Sequence, residues 1–221
     1  MFDRRVDAAL SRFGDFMIFK RILAALFGKK VEVSPAAKSH EPTSQSSPLD
    51  EFSSDPWIQF MVFGSKPHGH SLVEIIDFSR GDFDADHYFV QWLFPNRAAS
   101  PVNILAPVLT DLHVRAFQAL PELRASVDLA SAKFLAFLGF REVADGFEQI
   151  YDYEKGVQYW LRPLDHNHRR ISRFLTFHCE IGCKDKAVAL LAHLEGALAP
   201  AGLSHIDALP YWRAIVAKAD S

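Results

Sequence analysis

The chain has 221 residues, of which 49% are hydrophobic and 23% charged, and its formal net charge is −3. This composition is typical of a folded globular domain. The small negative charge argues against non-specific binding of nucleic acid by the molecule as a whole. Two cysteines four positions apart are too few for a disulfide framework and favour a reducing compartment. Because no stretch reaches the roughly 18 apolar residues of a membrane span, we predict a cytoplasmic protein.

Residues 1–30 combine apolar side chains at helical spacing with interspersed arginines and lysines, which predicts a basic amphipathic helix. Lys20 and Arg21 interrupt the apolar run that an export signal would need. The helix either docks on its own protein or lies on a membrane surface, so peripheral membrane association stays open. Residues 31–55 hold three prolines and many serines, and this composition predicts a disordered linker.

Helix signals dominate the rest of the chain, which predicts an all-α or nearly all-α fold: a compact multi-helix domain over residues 56–200, then a short helix and tail over 201–221. One helix is predicted from Asp84 or Asp86 to Pro95. The others are predicted after Thr110, from Pro121 to Gly139, from Asp165 to Gly182, over 184–198 and after Ser204. The only strand candidates are WIQFMVF (57–63) and EQIYDYEKGVQYWL (148–161).

Five blocks of sequence occur in a distinctive order: DADHYFVQWLFPN, PVNILAPVLT, FLAFLGF, HNHRRISRFLTFHCEIG and AVALLAHLE, preceded by WIQFMVFGSKPHGHSLVEIIDFS. Together they resemble the conserved region of the opioid growth factor receptor family. The animal member of that family is a perinuclear and nuclear receptor for an opioid peptide, restrains growth, and has long C-terminal extensions. The resemblance implies a short microbial member with receptor activity for a ligand such as a peptide, and it carries over no catalytic residues.

The histidines and cysteines of the stretch RPLDHNHRRISRFLTFHCEIGC, from Arg162 to Cys183, suggest a metal site at first sight. On a helix, however, His166 and His168 point some 200° apart, and the two cysteines lack the second pair of a zinc framework. We therefore expect no metal and no cofactor. The same helical geometry predicts a solvated basic stripe that is a candidate anion-binding face, formed by Arg162, His166, Arg169, Arg170 and Arg173.

The opposite face of that helix carries polar residues among apolar ones. His87 and Gln91 lie one turn apart on the other block and would share a face with it. These polar groups form either an internal hydrogen-bond network or the lining of a ligand pocket with Trp92, Phe94 and Trp160 as walls. The ligand-binding candidates are His87, Gln91, Trp92, Asn103, Trp160, Asn167 and His168.

No nucleophile elbow, P-loop or dinucleotide fingerprint is present in the sequence. The primary prediction is therefore a non-enzymatic domain that binds a peptide, a protein segment or a small ligand, with its oligomeric state left open. One alternative is a phosphate-binding or nucleic-acid-binding module that uses the Arg162–Arg173 face. A second is a hydrolase or nuclease centred on His87, His166 and His168.

Overall fold

A computed structural model of the chain describes residues 51–101, 103–144, 146–150 and 159–218. Over these residues the chain is mostly helical, with one antiparallel pair of strands, so the predicted fold class is confirmed. The predicted helix over 1–30 and the linker up to residue 50 lie outside the described residues. The elements in chain order are α1 Pro56–Met61, α2 Leu72–Ile76, α3 Arg80–Ala85, α4 Val90–Leu93, α5 Asp111–Ala119, α6 Pro121–Leu138, β1 Phe140–Val143, β2 Gly146–Gln149, α7 Asn167–Glu180, α8 Lys184–Leu198 and α9 Ala208–Lys218.

The first helix begins where the sequence suggested a strand. Asp55 accepts hydrogen bonds from the backbone N–H groups of Trp57 (2.8 Å) and Ile58 (3.1 Å), and Pro56 occupies the first turn of α1. A capping carboxylate followed by proline is a strong helix start, so the strand prediction for residues 57–63 is wrong. Phe52 is buried at 3% exposure. The last five residues assigned to the linker therefore belong to the folded part.

The longer helices follow their sequence signals. Pro121 stands in the first turn of α6, and the helix ends at Gly139 (φ 94°), as predicted. Thr110 and His113 form a reciprocal cap at the start of α5. The chain then makes a hairpin that the sequence did not indicate, in which β1 pairs with β2 and Phe140 lies opposite Gln149. The second strand candidate therefore contributes only its first two residues to β2, and its central part, 151–158, lies outside the described residues.

The helix predicted from residue 84 or 86 to Pro95 is wrong, because two short helices, α3 and α4, replace it. Asp86 has an extended backbone (φ −83°, ψ 124°), and its Oδ1 accepts the N–H of Tyr88 at 2.8 Å. This side-chain turn competes with helical hydrogen bonding. His87 and Gln91 are consequently not on one helical face: His87 is exposed and Gln91 is buried.

The core surrounds α7 and is rich in phenylalanine. The ring of Phe174 lies 5.0 Å from that of Phe94 and 5.1 Å from that of Phe134, measured between centroids. On another side of α7, Trp212 of α9 is fully buried and donates its indole N–H to Ser172 Oγ at 3.0 Å. The final helix, which was predicted after Ser204 as a short helix separate from the main domain, therefore packs against the core. No helix among the described residues is long and apolar enough to cross a membrane.

Candidate functional site

Arg170 organises the segment between α3 and α4. Its guanidinium donates to the backbone carbonyls of Phe83 (2.8 Å), Asp84 (3.0 Å) and Asp86 (2.6 Å). The last carbonyls of a helix lack intrahelical partners, and a buried arginine fork satisfies several of them at once. Arg170 is 6% exposed, and burial lowers its pKa although nearby carboxylates oppose that shift. The prediction of Arg170 on a solvated anion-binding face is therefore wrong.

The other members of the predicted basic stripe do not form one surface. Arg162 and Arg169 are exposed, whereas Arg173 is half-buried and donates to the Phe94 carbonyl at 3.3 Å. His166 Nε2 lies 3.2 Å from Asp84 Oδ1, and Asp165 Oδ1 accepts the N–H of Asn167 at 2.8 Å. Because a carboxylate already occupies the start of α7, this end of the helix is less favourable for a bound anion.

Asn167 and His168 connect α7 to the core. Asn167 donates from Nδ2 to Asp84 Oδ1 (2.7 Å) and to the Tyr159 carbonyl (3.1 Å). His168 Nε2 lies 2.8 Å from the Trp160 carbonyl, so this nitrogen carries a proton. Both side chains are buried, and Trp160 has no exposed surface. These three candidates hold the fold together, and none of them lines either of the two cavities found among the described residues.

His87 and His166 are brought together at the surface. Their ring centroids lie 4.9 Å apart in an edge-to-face arrangement. Arg170 Nη2 donates to His87 Nδ1 at 3.0 Å, which leaves the proton of the neutral ring on Nε2. Of the three histidines in the hydrolase alternative, the structure therefore places two side by side and the third, His168, in the core.

Gln91 and Asn103 lie apart from the other predicted polar residues. Gln91 is 9% exposed and its Oε1 has no hydrogen-bond partner. Asn103 accepts the N–H of Leu105 on its Oδ1 at 3.2 Å and so shapes the loop before α5. The polar network predicted for His87, Gln91, Asn103, Asn167 and His168 is thus divided among separate places. The physical reason is the break in the helix at Asp86 described above.

Trp92 lines a surface feature that we call the aromatic recess. The recess lies between the loop over residues 64–70 and the start of α4, and its residues are Phe60, Pro67, His68, His70, Ile75, Asp86, Phe89 and Trp92. The Trp92 ring lies 5.5 Å from the His68 ring and 5.7 Å from the Phe60 ring. Tyr88 stacks on the outer side of His68 at 6.0 Å. The cavity volume is about 10 Å³, which is room for about one water molecule.

Trp92 differs from the other three tryptophans in the hydrogen bonding of its indole N–H. The indole N–H of Trp57 donates to the Trp92 carbonyl (2.8 Å), that of Trp160 to the Leu138 carbonyl (2.9 Å) and that of Trp212 to Ser172 Oγ (3.0 Å). Trp92 Nε1 is buried and has no acceptor among the described residues. His68 Nε2 is also buried and has no hydrogen-bond partner among them. Both unpartnered nitrogens belong to rings that line the recess.

Sequence reasoning identified Trp92 but missed His68, Tyr88 and Asp86. One signal was present in GSKPHGHS, where Gly64 (φ 75°) and Gly69 (φ 85°) bracket a proline and a histidine. Left-handed glycines at both ends of a short loop fix its path. The pairing of this loop with residues 86–92 depends on tertiary contacts, which no local pattern reveals.

Other titratable groups are placed as structural parts. His178 is buried between Ser131 and the Phe174 carbonyl, and Cys179 and Cys183 form no disulfide. No three His, Cys, Asp or Glu side chains in the described ranges are arranged to hold a metal ion. An open cleft of about 300 Å³ lies between the hairpin and α8, lined by Phe140, Gln149 and His193 among others.

The described residues thus define a helical domain with an aromatic recess at its surface. A family model described as the opioid growth factor receptor (OGFr) conserved region matches residues 60–220, which include α9. The chain belongs to this family, as the sequence blocks predicted. No curated protein and no solved structure matches the chain.

Proposed function

We propose that this chain is a non-enzymatic binding domain for a peptide or protein segment, and that the ligand covers the aromatic recess. The observation that carries the proposal is the indole N–H of Trp92, which is buried without an acceptor beside the equally unpartnered His68 Nε2. An unpaired buried polar group destabilises a fold by about 1–3 kcal/mol. The fold satisfies the other three indoles. Other buried polar atoms of the described residues, such as Gln91 Oε1 and Asn167 Oδ1, also lack a partner, but Trp92 Nε1 and His68 Nε2 belong to two rings that line the same recess.

The surface around the recess has the composition of a contact site. Tyr88 is 56% exposed and stacks on His68, so two aromatic groups are presented to solvent next to a buried indole. Aromatic residues are enriched at interfaces because they offer a large contact area at a low entropic cost. The family description adds support for a peptide ligand, since it names a receptor for a growth factor.

The recess is too small for a ligand side chain as it stands. Binding therefore requires His68 to move aside with the loop over residues 64–70. In the bound state the ligand would supply an acceptor, such as a peptide carbonyl, to the Trp92 N–H. This gain would offset part of the free energy needed to move the loop.

The experiment is a titration of the folded protein followed by the four indole N–H signals in ¹⁵N–¹H NMR spectra. The first probe is a synthetic opioid pentapeptide, and a peptide of the same composition in scrambled order is its control. We expect the Trp92 signal to shift while those of Trp57, Trp160 and Trp212 stay in place. Equal shifts of all four signals, or of none, would overturn the proposal.

Two tyrosine variants test the location of the contact. Tyr88→Ala removes the ring beside His68, whereas Tyr211→Ala removes a ring of similar exposure, 69%, from α9. Neither side chain is part of the core. We expect Tyr88→Ala to weaken peptide binding roughly tenfold and Tyr211→Ala to leave it unchanged. Equal affinity of the two variants would place the contact elsewhere.

We also propose a cytoplasmic location for the protein. Cys179 and Cys183 are half-buried and form no disulfide, which is compatible with a reducing compartment. Fractionation of cells that express the full chain, with soluble and membrane fractions probed separately, tests this proposal and the peripheral membrane contact proposed for residues 1–30. Recovery of the protein outside the cytoplasm would contradict it.

A second candidate function is hydrolysis with His87 and His166 as an acid–base pair. The observation in its favour is the 4.9 Å separation of the two rings, together with Asp84 Oδ1 at 3.2 Å from His166 Nε2. Such a carboxylate orients an imidazole that acts as a base. The test is hydrolysis of p-nitrophenyl esters and phosphodiesters by the wild type, His166→Ala and a variant of the exposed His205, His205→Ala. Activity lost only in His166→Ala would establish this function, and no activity in the wild type would exclude it for these substrates.

A further inference from the structure

Asp86 gives the aromatic recess a negative charge. Its side chain lines the recess, and its Oδ1 accepts the N–H of Tyr88 at 2.8 Å. Its Oδ2 has no hydrogen-bond donor among the described residues, and no ion pair joins Asp86 to a cationic side chain within the same ranges. The recess therefore contains a carboxylate oxygen that is available to a ligand.

The nearby cations of the protein are engaged elsewhere. Lys66 pairs with Glu74 at 2.5 Å on the outer side of the loop. Arg170 contacts the backbone carbonyl of Asp86, at 2.6 Å, and not its carboxylate. Among the described residues, no cationic side chain forms an ion pair with the Asp86 carboxylate, although Arg170 lies close enough to interact with it electrostatically.

The other walls of the recess favour a positive charge as well. The rings of Phe60, Phe89 and Trp92 line it, and aromatic faces attract cations through their quadrupole, tryptophan most strongly. A neutral apolar ligand would use the rings but leave the carboxylate without a partner. A cation with an alkyl stem would satisfy both.

We propose that the aromatic recess binds an alkylammonium group, as carried by a lysine side chain or by the amino terminus of a peptide. The ammonium lies against Asp86 and the aromatic rings, and a neighbouring carbonyl of the ligand accepts from the Trp92 N–H. This inference rests on the proposed peptide-binding function and specifies the part of the ligand that is recognised.

The probes are small amides matched in shape. N-acetyl-lysine amide carries a side-chain ammonium, and N-acetyl-norleucine amide has a similar stem without the charge. Phenylalanine amide and N-acetyl-phenylalanine amide form the matching pair for an amino terminus. Each is titrated into the full chain while the Trp92 indole signal is followed, with the other three indoles as internal references.

We expect at least one charged probe to bind at least about fivefold more tightly than its neutral partner, and the pair with the larger ratio identifies the source of the ammonium. Asp86→Asn removes the charge but keeps an oxygen for the Tyr88 N–H. It should reduce this ratio to about one. Asp185→Asn, which removes an exposed carboxylate in the first turn of α8, should leave the ratio unchanged.

The outcomes separate the two proposals. Equal binding of charged and neutral probes, or a Trp92 shift with the pentapeptide but with no ammonium probe, would overturn the ammonium inference and leave the peptide-binding function standing. No Trp92 shift with any peptide or probe would overturn both. Titration at increasing NaCl concentration is a test that needs no variant, since salt should weaken the binding of the charged probe and not that of its neutral partner.

Discussion

His178 is a histidine whose burial favours the neutral ring. Its Nδ1 lies 2.9 Å from the Phe174 carbonyl and therefore donates, while its Nε2 lies 3.1 Å from Ser131 Oγ. The side chain is 1% exposed, and burial lowers its pKa to about 3. The folded protein thus keeps this ring uncharged at pH values where an unfolded chain protonates it.

This difference predicts a pH dependence of stability. Above the ordinary pKa of 6.5 both states hold the ring neutral, so its full stabilising contribution is present. As the pH falls from 6.5 towards 3, only the unfolded state takes up a proton, and the free energy of unfolding falls by about 1.4 kcal/mol per pH unit, or roughly 5 kcal/mol in all. Urea unfolding at pH 7.0, 6.0 and 5.0 measures this slope. His178→Gln should be less stable at pH 7 but should lose less stability on acidification, and an identical slope in both proteins would contradict the assignment.

Asp55 holds α1 and α5 together from a position that composition assigned to a linker. Its Oδ1 caps α1, and its Oδ2 lies 2.9 Å from Nε2 of the buried His113. Burial alone would raise the pKa of Asp55, but the hydrogen bonds from His113, Ile58 and Trp57 outweigh that effect and lower it.

We expect Asp55→Ala to reduce the free energy of unfolding by about 2–4 kcal/mol, because it removes a helix cap and leaves a buried histidine unpaired. Ser79→Ala is the control, since Ser79 caps α3 through its side chain at the surface and should lose only about 1 kcal/mol. Chemical denaturation of the three proteins measures both values. A loss for Asp55→Ala no larger than that for Ser79→Ala would show that His113 does not depend on this contact.

At the scale of elements, α7 is joined to the end of α3 by hydrogen bonds from Arg170 to three carbonyls. A lysine ammonium cannot reproduce this fork, and an apolar side chain would leave the carbonyls unpaired. We expect Arg170→Met to destabilise the protein by about 2–5 kcal/mol and to loosen residues 84–89.

The neighbouring residue supplies the control for this expectation. Arg169 is exposed, so Arg169→Met should change the free energy of unfolding by less than about 0.5 kcal/mol. Hydrogen exchange of the N–H groups of residues 84–89 in the two variants reports on the loosening. Similar exchange in both would mean that Arg170 does not hold this segment.

The same pair of elements explains which parts of the fold were predictable from sequence. The helices α6, α7 and α8 have apolar spacing within their own residues, and Pro121, Gly139, Gly182 and Pro200 mark their ends, so local patterns were sufficient. The segment from 84 to 95 has equally strong apolar spacing, yet it breaks at Asp86, where the local turn with Tyr88 is joined by hydrogen bonds from Arg170, more than eighty positions away, to the carbonyls of Asp84 and Asp86. Long-range side-chain bonds of this kind overrule local preference and are invisible to a window of sequence.

The residues of the candidate site were also only partly predictable from local sequence patterns. Trp92, Asn167 and His168 were selected as ligand-binding candidates because polar and aromatic residues on an apolar face need an explanation. Their grouping into one network was wrong, because it assumed a continuous helix through His87 and Gln91. His68 contacts Trp92 only because of the path of the loop over residues 64–70, which local sequence patterns do not reveal.

At the scale of the whole molecule, α9 closes the domain over α7. Trp212 has no exposed surface, and its N–H donates to Ser172 Oγ at 3.0 Å. We expect Trp212→Ala to lower the free energy of unfolding by about 3–5 kcal/mol, because it leaves a large cavity between the two helices. Tyr211→Ala changes the adjacent exposed ring and should have an effect below about 0.5 kcal/mol. Thermal unfolding compares the two, and equal melting temperatures would mean that α9 is dispensable.

The position of Arg170 has a further consequence for the rate of ligand entry. Arg170 fixes the Asp86 side of the aromatic recess through backbone carbonyls. The opposite side is the loop that begins at Gly64 and contains Gly69. A Cβ atom added at either glycine would meet no atom within 4 Å. The Asp86 side of the recess is therefore anchored, and admission of a ligand requires the loop to move. Association should then reach a limiting rate at high ligand concentration, set by the swing of the loop and not by diffusion. Stopped-flow fluorescence of Trp92 would measure that ceiling, and substitution of Gly69 by alanine, at a left-handed backbone position, should change the ceiling more than the affinity.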